Sequence, residues 1–127
     1  MVAPLNSIWR KEPEAYDFPA AADYLELIMP RADASRVVAA LKKATTIRKK
    51  AKDLVRACAL PILSADNYHV VKDLKKVKSG QLLSPVLIVR GKLAKGVAMT
   101  IADGYHRISA SYHLDEDAEI PCRIVDF

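Results

Sequence analysis

Asp103-Gly104-Tyr105-His106-Arg107 is the stretch whose residue types and spacing point most directly to chemistry. An apolar run, Val97 to Ala102, leads into it, and a helical pattern, Tyr105 to about His113, leads out. A helix that opens directly after a buried strand presents backbone N–H groups with no partner inside the helix. Its dipole places partial positive charge at the same end, and a phosphate satisfies both. Gly104 has no side chain and lets a ligand approach the backbone. Arg107, in the first turn, can fork two hydrogen bonds onto phosphate oxygens. His106 can add a donor or act as an acid or base near neutral pH. Tyr105 offers a ring for a base or ribose, or for ordinary packing. Two roles are open to Asp103. It can cap the helix by accepting from the N–H of Tyr105 or His106. Beside a bound phosphate it can instead partner a magnesium ion or serve as a base. The candidate catalytic residues are therefore Asp103 and His106, the phosphate-contacting ones Gly104, Tyr105, His106 and Arg107, and the metal ligand Asp103. Asp-Gly is also a plain turn dipeptide, so surface decoration is the competing reading.

These residues need elements to hold them. Met1 to Phe18 reads as irregular, with Trp9 packed back onto the body. Asp17 followed by Pro19 predicts a helix start, with Ala20 to Met29 helical and Pro30 as its stop. Asp33 reads as the cap of a longer pattern in which Val37, Leu41, Ala44, Ile47, Ala51, Leu54 and Cys58 recur at steps of three and four. That predicts one long helix, or two with a break at Thr45-Thr46, where β-branched residues lower helix propensity. Asp66 or Asn67 caps a helix from about His69 to Lys78, and Gly80 closes it. Pro85 to Val89 reads as a buried strand, Val97 to Ala102 as a second one antiparallel to it, and Ile120 to Val125 as a last strand. His69 can face the phosphate turn across the sheet's end, or simply satisfy a backbone group. Lys72 can reach a nucleotide from a face that is otherwise solvated. His113 suits the end of its helix, and Ser109 and Ser111 have no visible activating base.

The predicted long helix carries a basic face. Lys42, Lys49, Lys50, Lys52 and Arg56 are candidate contacts for DNA or RNA phosphates. A solvated amphipathic face explains them equally. The stretch has no aromatic residue, so it offers no platform for base stacking.

The order of features from Leu74 to Val125 resembles the ParB/sulfiredoxin-like superfamily. A helix ends in Gly80, followed by Leu83-Ser84-Pro85-Val86-Leu87-Ile88-Val89. Thr100-Ile101-Ala102 leads into Asp103-Gly104-Tyr105-His106-Arg107-Ile108-Ser109-Ala110, and Ile120-Pro121-Cys122-Arg123-Ile124-Val125 closes the run. ParB-like domains show the same succession of helix, glycine, proline-led strand, Gly-x-x-Arg box and isoleucine-proline strand. The resemblance implies an α+β fold, a mixed sheet of short strands with helices, over residues 60–127, preceded by a helical extension over residues 1–59. It implies phosphate contacts from Gly104, His106 and Arg107, with ATP, ADP or CTP and magnesium as the expected ligands. Sulfiredoxins place a cysteine after the box glycine, where Tyr105 stands here, so that thiolate chemistry is not expected. No helix-turn-helix segment follows before Phe127, so sequence-specific DNA reading by that route is not expected either.

Bulk properties fit these readings without choosing among them. The chain has 127 residues, 51% of them hydrophobic and 28% charged, which is enough apolar mass for a core. The net charge of +5 suits anionic partners. Cys58 and Cys122 form no metal or redox spacing and read as buried thiols. No stretch is long and apolar enough to span a bilayer or to act as a secretory core, so a cytoplasmic protein with no membrane partner is expected. Three functions follow. The first is a nucleotide- or phosphate-binding domain, with phosphotransfer or nucleotide hydrolysis as its chemistry. The second is a nucleic-acid module using residues 42–56. The third is a regulatory or protein-interaction module whose helical half offers an oligomer surface.

Overall fold

Why the run Val86-Leu87-Ile88-Val89 is apolar at every position follows from the sheet it occupies. In the computed structural model, which describes residues 8–127, these residues form strand β2 (Val86–Val89), buried on both faces. Val86 and Ile88 point into one core with Leu54, Ile108 and Ile120, whereas Leu87 and Val89 point into the other with Leu25, Val37 and Leu41. Successive strand side chains alternate faces, so a strand covered twice has no polar position.

The elements run α1 (Asp17–Leu25), α2 (Arg31–Lys43), β1 (Ile47–Lys50), α3 (Ala51–Cys58), α4 (Tyr68–Lys78), β2, β3 (Thr100–Asp103), α5 (Tyr105–Leu114) and β4 (Glu119–Val125). The sheet order is β1-β4-β2-β3; β2 and β4 are parallel and the other pairs antiparallel. Helices α1 and α2 cover one face, and α3 and α5 the other, with α4 packed on α5. The fold is mixed α+β, as expected. Among the described residues no helix is long and apolar enough to cross a membrane.

Local signals placed several elements. Asn67 caps α4, its Oδ1 accepting from the N–H of His69 (3.0 Å) and Val70 (3.3 Å). Gly80, at φ +83°, ends it with the N–H of Gly80 on the Val77 carbonyl and that of Gln81 on the Lys76 carbonyl; this is a Schellman closure. Trp9 does pack onto the body, bridging Leu83 and 5% exposed. Cys58 and Cys122 are buried free thiols. The part of the irregular N-terminal reading that covers residues 1–7 lies outside the described residues.

Other boundaries moved. Asp17 does start α1, three residues ahead of the expected Ala20, and its buried carboxylate accepts from the Glu14 N–H (3.2 Å) and the Ser84 hydroxyl. Asp33 is not a cap: α2 already begins at Arg31 behind Pro30, and Asp33 lies in its first turn, paired with Arg36. The helix ends at Leu25, four residues short of Met29, in a series of turns. Residues 97–99 are not strand. Val97 makes a single bridge with Lys92 across the Gly96 turn, and the Met99 N–H bonds the Ala57 carbonyl, so the β3 ladder begins at Thr100.

The largest correction concerns the basic helix. Residues 42–56 are not one helix: Lys42 lies in the last turn of α2, Lys49 and Lys50 lie in strand β1, and Lys52 and Arg56 lie in α3. The break at Thr45-Thr46 is real, but Ile47–Lys50 becomes the edge strand beside β4 (Ile47 opposite Cys122, Lys50 opposite Glu119). Arg123 of β4 organises the break. Its guanidinium donates to the carbonyls of Leu41 (3.1 Å) and Lys42 (3.0 Å) and to Thr46 Oγ1 (3.1 Å), and it pairs with Glu12. The last carbonyls of α2 are thus satisfied by a side chain from another element. The first half of the chain is therefore not purely helical, and it shares its sheet with the second half.

Candidate functional site

The turn after β3 meets the first turn of α4. Asn67 starts α4 so that His69, Lys72, Asp73 and Lys76 share one face, the i, i+3, i+4, i+7 spacing of a helix. Opposite them stand Asp103, Gly104, His106 and Arg107, and the eight residues line a pocket of about 180 Å³. The rings of His69 and His106 are 4.6 Å apart, centroid to centroid. His69 therefore does face the turn from Asp103 to Arg107.

Gly104 is the residue before α5, at φ +112°, and no side chain caps the helix. A Cβ here would stand 2.3 Å from Val86 Cγ1 and 2.9 Å from Val86 Cβ, both in the packed core. The glycine is thus required by backbone conformation and by Val86, besides any ligand. Asp103 does not cap. Its Oδ2 accepts from Arg107 Nη2 at 2.8 Å, and the same nitrogen reaches the Pro85 carbonyl at 3.4 Å. The capping expectation fails because Arg107 lies one helical turn on from Asp103, and its guanidinium is the stronger donor for a carboxylate that has lost most of its solvent. Arg107 Nε is buried without a partner.

Charge in the pocket is finely opposed. Burial pushes the Asp103 carboxyl above its ordinary range, with Arg107 pulling it back. Asp73, 8% exposed, is likewise raised by burial and lowered by Arg107, Lys76, His106 and His69. His106 is held below its ordinary 6.5, first by burial and then by His69. Its ring is consequently neutral at pH 7, with one nitrogen donating and one accepting. Among the described residues no group of three or more His, Cys, Asp and Glu side chains gathers.

Asp73 and Lys76 were missed in the sequence. By residue type Lys76 belongs to a solvated lysine face, and Asp73 is one polar position among lysines. The one available signal was spacing, since Asp73 lies on the same stripe as His69 and Val77. Tyr105 does not offer its ring edge freely; its hydroxyl donates to the Pro61 carbonyl. His113 places a ring nitrogen 2.6 Å from the Leu63 carbonyl, a structural role, and Ser109 Oγ accepts from the Leu63 N–H at 3.3 Å.

The cations read as a nucleic-acid face are dispersed. Lys52 pairs with Asp117 at 2.6 Å and Arg56 with Asp53 at 3.7 Å. Ile47, Arg48, Lys49 and Lys50 of β1 are all exposed on the sheet edge, and Lys42 is exposed at the end of α2. None of these residues lines the α4–α5 pocket. The chain matches no protein-family model, no curated protein and no solved structure.

Proposed function

We propose that the α4–α5 pocket binds the phosphate groups of a small phosphorylated ligand, a nucleotide being the class that the ParB-like order of motifs implies. The supporting observation is convergence: Lys72 and Lys76 from α4 and Arg107 from α5 meet at the uncapped N-terminus of α5. Phosphate oxygens would accept from the first N–H groups of α5 and from Arg107, which Asp103 and the Pro85 carbonyl hold in place. Lys72 and Lys76 supply charge on long side chains, and Lys76 also offsets the raised carboxyl of Asp73. His106 has a ring nitrogen able to take a proton from a hydroxyl or water beside the phosphate, the step that phosphotransfer or hydrolysis requires. Asp103, committed to Arg107, acts as a positioning group.

Thermal unfolding with ATP, ADP, CTP and GTP, each with and without magnesium, tests this. A ligand at about 100 times its Kd should stabilise the fold by roughly 2.7 kcal/mol, a few degrees here. Lys72→Ala with Lys76→Ala removes the shift without touching the core. A shift that survives both substitutions places the ligand elsewhere.

A second reading rests on the β1 edge, where Arg48, Lys49 and Lys50 are exposed in one strand. In that reading the surface holds a nucleic-acid backbone, and affinity falls steeply with salt.

A further inference from the structure

A second cleft opens on the other side of the same turn. It has a volume of about 300 Å³ and is lined by Ala20 and Tyr24 of α1, Leu60, Ile101 and Tyr105, and it shares Asp103, Gly104 and His106 with the charged pocket. Tyr24 is 42% exposed and Leu60 44%. A single exposed apolar side chain is ordinary. Two of them, from separate elements, line one cleft that shares Asp103, Gly104 and His106 with a charged pocket; apolar walls with a few polar groups at one end are the anatomy of a small-molecule site.

The cleft is held in shape by a strap. The loop after α3 is tied to α5 by the Tyr105 hydroxyl on the Pro61 carbonyl, by the Leu63 N–H on Ser109 Oγ, and by His113 on the Leu63 carbonyl. The strap fixes Leu60 and the Tyr105 ring, while Tyr24 lines the same cleft from α1. Exposed tyrosine on a rigid helix presents a flat face for stacking at small entropic cost.

We infer that this cleft takes the nucleobase of the ligand whose phosphates occupy the charged pocket, with Tyr24 as the stacking ring and Leu60 closing the far side. The inference rests on the phosphate reading above and extends it to residues of α1 and the strap. The cleft's side-chain walls are apolar apart from the shared turn, and the Tyr105 hydroxyl is already bonded. A site that grips a base by its face and not by its edge discriminates bases poorly, because every base has a π-face. ATP, GTP and CTP should therefore bind within about 10-fold of one another.

Calorimetry on the full chain with ADP and with pyrophosphate separates the two halves. ADP should bind more tightly than pyrophosphate. Tyr24→Ala should weaken ADP on the order of 10-fold and leave pyrophosphate unchanged, and Tyr24→Phe should retain ADP affinity. Leu60→Asp, at an exposed position, should likewise weaken ADP selectively. Equal affinities for ADP and pyrophosphate, or a Tyr24→Ala protein that binds ADP as before, overturn the base cleft and leave the phosphate pocket standing. Absence of binding by both ligands overturns the pocket and the cleft together.

Discussion

The α4–α5 pocket and the β1 edge both gather positive charge, yet they do so in opposite ways. In the pocket two of the three cations have a counterpart: Arg107 meets Asp103, and Lys76 lies near the raised carboxyl of Asp73. Arg107 and Asp103 expose only 17% and 18% of their side chains. At the edge, Ile47 to Lys50 are all exposed, and the charge opposite Lys50 is a single Glu119. A partly desolvated, opposed site can hold one small anion in a defined geometry, because its fields are little screened. An exposed strand of lysines attracts any polyanion and loses it to salt. Such lysines also protect an open sheet edge against pairing with another chain. The difference teaches that a count of cations does not distinguish an enclosed, defined site from a screened surface; the carboxylates packed among them do.

The sharpest way to break that contrast is Arg107→Ala. It leaves Asp103 without its partner in a site that already raises its carboxyl. We expect a loss of roughly 2–4 kcal/mol, somewhat less than for a fully buried pair, together with loss of the nucleotide-induced thermal shift. Chemical denaturation of the variant, with and without nucleotide, checks both. The edge should answer differently. Replacing Arg48, Lys49 and Lys50 by glutamine should leave stability within about 0.5 kcal/mol and nucleotide binding intact. Any affinity for duplex DNA should fall, and its salt slope should shrink by about 0.9 for each phosphate contact removed. If the triple variant lost nucleotide binding, the two regions would not be separate.

Asp73→Asn sharpens the comparison from the other side. The Asp73 carboxyl is raised, so the fold favours its protonated form; that stability is present below the ordinary 3.8 and is lost as pH rises through the raised value. At neutral pH the amide should therefore be more stable, by on the order of 1 kcal/mol, and should bind anions more tightly. Equal affinity in the two proteins would show that Asp73 does not face the ligand. The smallest effect should come from His106. Its depressed value means that stability is complete above 6.5 and falls as pH drops through the lowered one. A bound phosphate favours the imidazolium, so the nucleotide-induced shift should grow from about pH 7.5 to about pH 5.5. His106→Gln should remove the part of that growth that does not come from the ligand's own titration.

Much of the pocket was legible because its signals are local. Asn67 before an apolar stripe, Gly80 after it, and Gly104 between a strand and a helix each act within one turn of chain. The β1 edge was not legible in that way. Ile47, Leu54 and Cys58 keep helical spacing, and only the weak preference of Thr45, Thr46 and Ile47 spoke for a strand. Of that stripe, Leu54 and Cys58 are buried in α3, whereas Ile47 is 39% exposed in β1. The partner of Asp103 was equally hidden, since the same carboxylate can serve either a cap on the next N–H groups or an ion pair one turn away.

By itself, then, the amino-acid order determined the doubly buried β2, the ends of α4, the glycine before α5, and the membership of Gly104, His106 and Arg107 in one turn. Those outcomes depend on backbone dihedrals and hydrogen bonds between near neighbours. The tertiary structure alone decided that Ile47 to Lys50 pairs with β4, that Arg123 caps α2, and that His69, Lys72, Asp73 and Lys76 come to stand across from the turn. Each of these needs a partner far along the chain, whose position exists only once both faces of the sheet have been covered.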